Sequence, residues 1–473
     1  MQVKSQNLIT WIKGNKKEFW MLLGVLVLAA FFRLWRIDEY LTFLGDEGRD
    51  VRIVSRFVTD FDLMFIGPRT SIGNMYLGPL YYYLIAPFLA LWRLSPTGPA
   101  VLVAILGTAT VFLVWFVARE WFGKVAAFSS ALLFAMSPVV ISLSKTSWNP
   151  NIMPFFALLA IYSIWRVWRH HEWKWLLVVG ASFGFILQSH YLGLLLLPTI
   201  ILFWILTLRD LHSKVGNFLR HTMLGSVIFA ILMSPLFIFD AKHGWRNFES
   251  MRIFFTERQT TVSIKPWNAI PDLWPLWQDQ VVTRLVVAKS ETWGLWAAII
   301  ILIGAICLGY GLYKDRDKFR LQSFALVSVW IFIGLVGLGL YKQHIYDHYF
   351  GFVFMAPFLL IGGILQKIWD TKFKLLVIII VVGLLWINLQ ENPLKYPPNR
   401  QMQNVQQVNQ KIIEESQGKP FNFALISKNN YEEGYLYFLE QRKAPVLAID
   451  PQRYEETLAD QLFVVCENPI CEP

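Results

Sequence analysis

FLGDEGRD, residues 43–50, places three carboxylates (Asp46, Glu47, Asp50) beside one guanidinium (Arg49). A carboxylate next to cations suits proton transfer: it takes a proton from an incoming hydroxyl while the cations neutralise a departing phosphate. The next residues strengthen the pattern. In RDVRIVSRFV, Arg49, Arg52 and Arg56 fall at i, i+3 and i+7, one face of a helix, with Val51, Val54, Phe57 and Val58 on the other side. This predicts an amphipathic helix lying in a membrane interface. Its arginine row has two readings, bidentate phosphate binding or snorkelling to lipid headgroups. Asp46 and Glu47 also have two readings: a general base with its helper, or residues that cap the helix and complement its dipole.

Further polar residues cluster at the ends of apolar runs. GPLYYYL (78–84) carries Tyr81 and Tyr82, and SKTSWNPN (144–151) carries Lys145 and Asn149. QSHYLG (188–193) offers His190 and Tyr191, and KQHIYDHYF (342–350) offers Lys342, His344, Asp347, His348 and Tyr349. Tyr and His at such positions either anchor the interface or line a substrate site. Lys145 is a candidate second cation for a phosphate. The HxxxH spacing of His344 and His348 would present two ligands on one helical face, but no third ligand completes a zinc set. No cofactor and no resident metal are expected, with a divalent ion left open.

The elements that must position these residues are apolar helices. Hydrophobic residues make up 55% of the 473-residue chain and charged residues only 16%, against roughly 25% charge in soluble domains. Runs long enough to cross a bilayer, about 17–25 residues each, are predicted at 19–37, 99–118, 125–143, 150–168, 174–189, 191–208, 222–240, 293–313, 322–341, 349–367 and 373–389. The first is read as an uncleaved anchor. The fold class expected is therefore an all-α polytopic bundle of about 11 transmembrane helices. The net charge of +10 resides in short loops between spans, which is the positive-inside pattern and argues against nucleic acid as a partner. If those loops and the N-terminus are cytoplasmic, three pieces face outside: loop one (38–98), a second loop (241–292) and the tail (390–473). Residues 78–93 are apolar but short and broken by Pro87, so they predict a juxtamembrane helix on the outer side rather than a crossing.

Domain organisation follows: a transmembrane unit over 1–389 and a small extracytoplasmic α/β domain over 390–473. In the tail, NFALIS and LFVVC predict strands and NNYEEGYLYFLEQR a helix. Cys466 and Cys471 can pair if that domain is outside, whereas Cys307 lies in an apolar span as a packing residue. GLVGLGL (334–340) is small-residue helix packing, with no strand context for a nucleotide loop.

The order GDEGRD (45–50), GPRTSIGN (67–74), GPLYYYL (78–84), with weaker REWFG (119–123), MSPVVISLSKTSWNPN (136–151) and HYFGFVFMAPFLL (348–360), resembles the GT-C glycosyltransferases. The nearest branch is that of the protein O-mannosyltransferases and lipid A aminoarabinose transferases. The resemblance implies a polyprenyl-phosphate sugar donor, a protein, lipid or glycan acceptor, inversion at the anomeric carbon and an extracytoplasmic site in the cell membrane. It makes Asp46 the general base, Glu47 its helper, and Arg49, Arg52 and Arg69 the ligands of the donor phosphate. Two departures stand out. Relatives carry His, Lys or Glu before Pro-Pro where this chain has Gly78-Pro79-Leu80, and an acid where it has Asn149. A flippase of lipid-linked sugars would need mid-membrane charges and repeats that are not visible. A ligase using a lipid-diphosphate donor would share the layout.

Overall fold

The computed structural model describes residues 8–70, 75–211, 215–256, 261–263, 265–468 and 471. The end of the GPRTSIGN motif, 71–74, lies outside the described residues, as do two residues of the CENPIC stretch. The chain is mostly helical, and every predicted span coincides with a helix. Among the described residues six helices are long and apolar enough to cross a membrane: Thr97–Trp121, Asn149–His170, Tyr191–Asp210, Val215–Lys242, Glu291–Lys314 and Lys318–Gly339. Shorter apolar helices at Lys124–Met136, Trp175–Ser189, Met355–Trp369 and Lys374–Gln390 fill the bundle between them. The helix Lys16–Leu34 leads into loop one.

Packing follows composition. Small residues let helices touch closely. A Cβ on Gly180 would lie 2.0 Å from the carbonyl oxygen of Gly225, so the helices bearing them meet backbone to backbone. Trp121, Trp165 and Trp330 are buried in one continuous apolar core, whereas Val215–Lys242 leaves most of its surface outward, as a lipid-facing helix does. Two cations are tied to chain ends at the top of this core. Arg33 donates to the carbonyls of Ala29 (3.1 Å) and Ala135 (3.2 Å), and Lys145 donates to Trp35 O at 3.2 Å. Carbonyls at helix C-termini lack internal partners, and cations satisfy them well.

Loop one forms two helices over a second core. Gly45–Asp60 is the amphipathic helix expected from the arginine spacing. Its Val51 and Val54 are buried against Tyr81, Tyr82 and Ile85 of the short helix Leu80–Leu91. Within 78–93 the chain forms a 12-residue helix, Leu80–Leu91, that packs beside Thr97–Trp121.

The tail forms a compact unit. A two-stranded parallel sheet pairs Asn422–Ile426 with Leu462–Cys466 in register Asn422 to Leu462, flanked by helices Gln401–Ser416 and Glu433–Gln441. Parallel pairing requires a crossover, which the helix Glu433–Gln441 supplies. Cys466 and Cys471 are joined as a disulfide. This unit docks on loop one: Glu433–Gln441 lies against Gly45–Asp60, and the tail's Phe438 and Tyr437 pack against Phe43.

Candidate active site

The local sequence explains how the GDEGRD turn is held. Leu44 is in an extended conformation (φ −120°) and the helix starts at Gly45. Glu47, three residues on, reaches back so that its Oε2 accepts the backbone N–H of Leu44 at 3.0 Å. That is the carboxylate half of a capping box. Glu47 is buried, and burial pushes its carboxyl up to about 8. The capping reading of Glu47 therefore describes its contacts. Its side chain is turned to its own helix start, not alongside the Asp46 carboxylate.

Asp46 is oriented differently. Its side chain is 39% exposed, and Oδ1 accepts from Arg49 Nη1 at 2.7 Å and from the Tyr431 hydroxyl at 2.6 Å. Arg49 Nη1 also donates to the Tyr431 oxygen at 3.1 Å, closing a triangle. The other edge of Arg49 holds Asp50, with Nε and Nη2 donating to Oδ1 at 2.9 and 2.7 Å. Asp50 is fully buried, takes a further hydrogen bond from the Tyr82 hydroxyl at 3.0 Å, and leaves Oδ2 without a protein partner. Burial raises the Asp50 carboxyl to about 6, with Arg49 opposing. The two carboxylates raise Arg49 far above its ordinary range, against the effect of its burial.

The arginine row is engaged by carboxylates of the protein itself. Arg49 is engaged by Asp46 and Asp50. Arg52 is engaged by Glu433 at 2.8 Å and by Glu440, both from the tail, and the half-exposed Arg56 lies 3.8 Å from Glu440. The three share one helical face, as the spacing predicts, but the partner of that face is the tail's acidic helix. The phosphate roles expected of Arg49 and Arg52 thus meet side chains already paired within the protein. Arg69 sits elsewhere, on an exposed limb bridged to Tyr76.

The loop 144–151 connects this region to the other predicted residues. The Tyr81 hydroxyl lies 2.7 Å from Ser147 Oγ. Asn149 donates to Ser189 O at 2.6 Å, next to His190. His190 and Tyr349 rings are 4.7 Å apart, and His348 packs on Trp148 at 4.2 Å. Tyr191 donates to Tyr76 O at 2.5 Å, drawing the second helix junction onto loop one. The structure thus gathers Asn149, His190, His348 and Tyr349 in one aromatic cluster and Asp46, Glu47, Arg49 and Tyr82 in one charged cluster. The HxxxH helical face does not form: His344 is in extended chain against Tyr346, while His348 is in a single 3-10 turn. Among the described residues no three His, Cys, Asp or Glu stand together as a metal set.

Beside Thr42, just ahead of the turn, a cavity of about 440 Å³ opens. Lys145, Lys289, Asp347, Glu391 and Tyr396 line it. Asp347 is paired with Arg284 and Lys289, and Glu391 accepts from Tyr396. Lys145 is nearly buried, sits 4.4 Å over the Tyr40 ring, and has no carboxylate partner among the described residues. Burial, aided by Arg33, lowers its ammonium to about 8. Of the predicted phosphate ligands, Lys145 lines this open cavity.

The departure at Gly78 has a structural counterpart. A Cβ there would lie 2.0 Å from Gln188 Oε1. Gln188 holds that place by accepting from Leu80 N at 3.2 Å and donating to Leu232 O at 2.8 Å. Sequence reasoning missed Tyr431, Asn430 and Gln401, all tail residues on the turn. Asn430 Oδ1 accepts the Gly45 amide at 2.8 Å and Gln401 Oε1 the Phe43 amide at 3.0 Å. Asn430 and Tyr431 fell in the polar start of the predicted helix NNYEEGYLYFLEQR, which begins only at Glu433, and Gln401 carried no sequence signal.

Residues 77–239 match the family model described as dolichyl-phosphate-mannose-protein mannosyltransferase. In Bacillus subtilis (strain 168), YycA is 28% identical over 123 residues, 26% of this chain and 18% of its own length. YkcB of the same organism is 28% identical over 115 residues, 24% of this chain and 16% of its own length. Both names assign mannosyltransferase activity provisionally, and the chain matches less than a fifth of either protein. ArnT from Cupriavidus metallidurans, solved with undecaprenyl phosphate, superposes with a TM-score of 0.61 at 13% identity, over 94% of this chain and 90% of that one. The archaeal oligosaccharyltransferase AglB from Archaeoglobus fulgidus, solved with an inhibitory peptide and a dolichol-phosphate, gives 0.57 at 16% identity, over 90% of this chain and 64% of that one. The chain therefore shares the fold of these two membrane proteins, and its residues 77–239 are similar to the dolichyl-phosphate-mannose-protein mannosyltransferase family model.

Proposed function

We propose that this protein is an integral membrane glycosyltransferase that moves a sugar from a polyprenyl-phosphate donor to an acceptor hydroxyl on the extracytoplasmic face. Asp46 is the general base. Its carboxylate removes the acceptor proton as the acceptor oxygen attacks the anomeric carbon. The bond from that carbon to the phosphate oxygen breaks with its electron pair, releasing polyprenyl phosphate and inverting the centre. Lys145, at the wall of the cavity beside Thr42, receives the departing negative charge. Arg49 holds Asp46 in place.

The observation that carries this reading is Asp46 itself, a partly exposed carboxylate held by two donors at the start of the first loop of a GT-C fold. The compartment supports the donor class, since a lipid-linked sugar needs no nucleotide outside the cell. The test is transfer from a labelled polyprenyl-phosphate sugar in detergent. D46N is expected to lose at least about 100-fold in rate, the usual contribution of a positioned base, with insertion and expression intact. Unchanged turnover in D46N removes the assigned base. In reconstituted vesicles, movement of the labelled lipid between leaflets without bond cleavage replaces the reading with a flippase.

A further inference from the structure

We infer that Tyr431, delivered by the C-terminal domain, is a positioning residue for Asp46, so that the tail completes the catalytic unit. The inference deepens the proposed reaction and rests on it only for its kinetic part.

The geometry has three independent ties. The Tyr431 hydroxyl donates to Asp46 Oδ1 at 2.6 Å and itself accepts from Arg49 at 3.1 Å. Asn430, its neighbour, holds the first amide of the helix at 2.8 Å and is fixed in turn by both oxygens of Glu467 at 3.0 Å. The Tyr431 ring lies flat on Gly45, where any Cβ would come within 2.4–2.5 Å of ring carbons. The glycine of the GDEG turn thus makes the seat for this ring.

The chemistry follows from which oxygen is used. Both donors converge on Oδ1, which fixes the carboxylate plane and leaves Oδ2 as the oxygen to meet the acceptor proton. Without the hydroxyl, one tie remains and the carboxylate turns about its own bond. The charged and titratable groups around it are Glu47, Arg49 and Asp50 of its own helix, Tyr82 of Leu80–Leu91, and Tyr431 and Glu433 of the tail.

Tyr431→Phe keeps the ring on Gly45 and removes only the hydroxyl. We expect kcat to fall about tenfold or more, the scale of one hydrogen bond to a charged group, with KM for donor and acceptor within about twofold. A readout without turnover accompanies this: modification of Asp46 by carbodiimide and amine, followed by peptide mass spectrometry, should be several-fold faster in Y431F. An unchanged kcat with unchanged labelling overturns the inference, and so does a faster enzyme with a lower acceptor KM, which would make Tyr431 a competitor of the acceptor. Altered labelling in a protein with no transferase activity would leave the positioning contact standing and the proposed reaction refuted.

Discussion

Substituting Gly48 by Ala is the most demanding test of how the tail meets the first loop. A Cβ at Gly48 would lie 2.3 Å from Gly434 N, 2.4 Å from Gly434 Cα and 2.6 Å from Glu433 C. All three are backbone atoms, so no rotamer change relieves the overlap. Ordinary carbon contacts need about 3.5–4.0 Å, so the helix Glu433–Gln441 must retreat by roughly 1–1.5 Å. Overpacking of this kind costs about 1–3 kcal/mol. A retreat of that size stretches the Tyr431 contact to Asp46, now 2.6 Å, beyond hydrogen-bond range, and loosens Arg52 from Glu433 at 2.8 Å. G45A is the control. Its added Cβ meets only the Tyr431 ring, a side chain free to swing aside, so the tail should stay docked while Asp46 loses its hydroxyl donor. The assay is limited proteolysis of the tail alongside transfer rate. G48A should become protease-sensitive and slow; G45A should become slow alone. A G48A protein with a wild-type digestion pattern and rate would refute the close backbone approach.

Two further outcomes follow from charges around the same turn. Glu47 is protonated more readily folded than unfolded, because burial raises its carboxyl from an ordinary 4.5 to about 8. Its contribution to stability is therefore complete below about pH 4.5 and is lost as pH rises through about 8. Between about pH 4.5 and pH 8, wild-type melting temperature should decline more steeply than that of E47Q; parallel curves would show that Glu47 is not buried. Arg52 links loop one to two tail acids, each partly exposed, and such pairs contribute up to about 1 kcal/mol apiece. R52E should make the tail protease-sensitive and E440R should partly restore it, whereas additive effects in the double variant would deny the contact.

Much of the architecture was legible because hydropathy is a local property. Every predicted span coincides with a helix, and Val51 and Val54 lie on the buried face that their spacing assigned. The strands NFALIS and LFVVC and the helix between them were visible as runs of alternating or periodic apolar residues. What could not be read was partnership across long separations. Arg52 and Glu433 are 381 residues apart, and Tyr431 is 385 from Asp46. A row of arginines announces that an anion is near without saying whether it is a phosphate or a carboxylate of the same chain. Glu47 was ambiguous for a local reason: a carboxylate three residues into a helix caps it whether or not it also serves a reaction. The HxxxH spacing misled because spacing implies a shared face only on a continuous helix, and this segment has none.

The amide of Gln188 has a consequence for how this protein can be altered. It fills the volume that a side chain at residue 78 would claim, and it arrives from a different helix with both ends already bonded. Placing a lysine at that position would therefore fail as a lone replacement. The two sites behave as a linked pair, and a changed headgroup preference would have to pass through a double exchange in which the glutamine is shortened first.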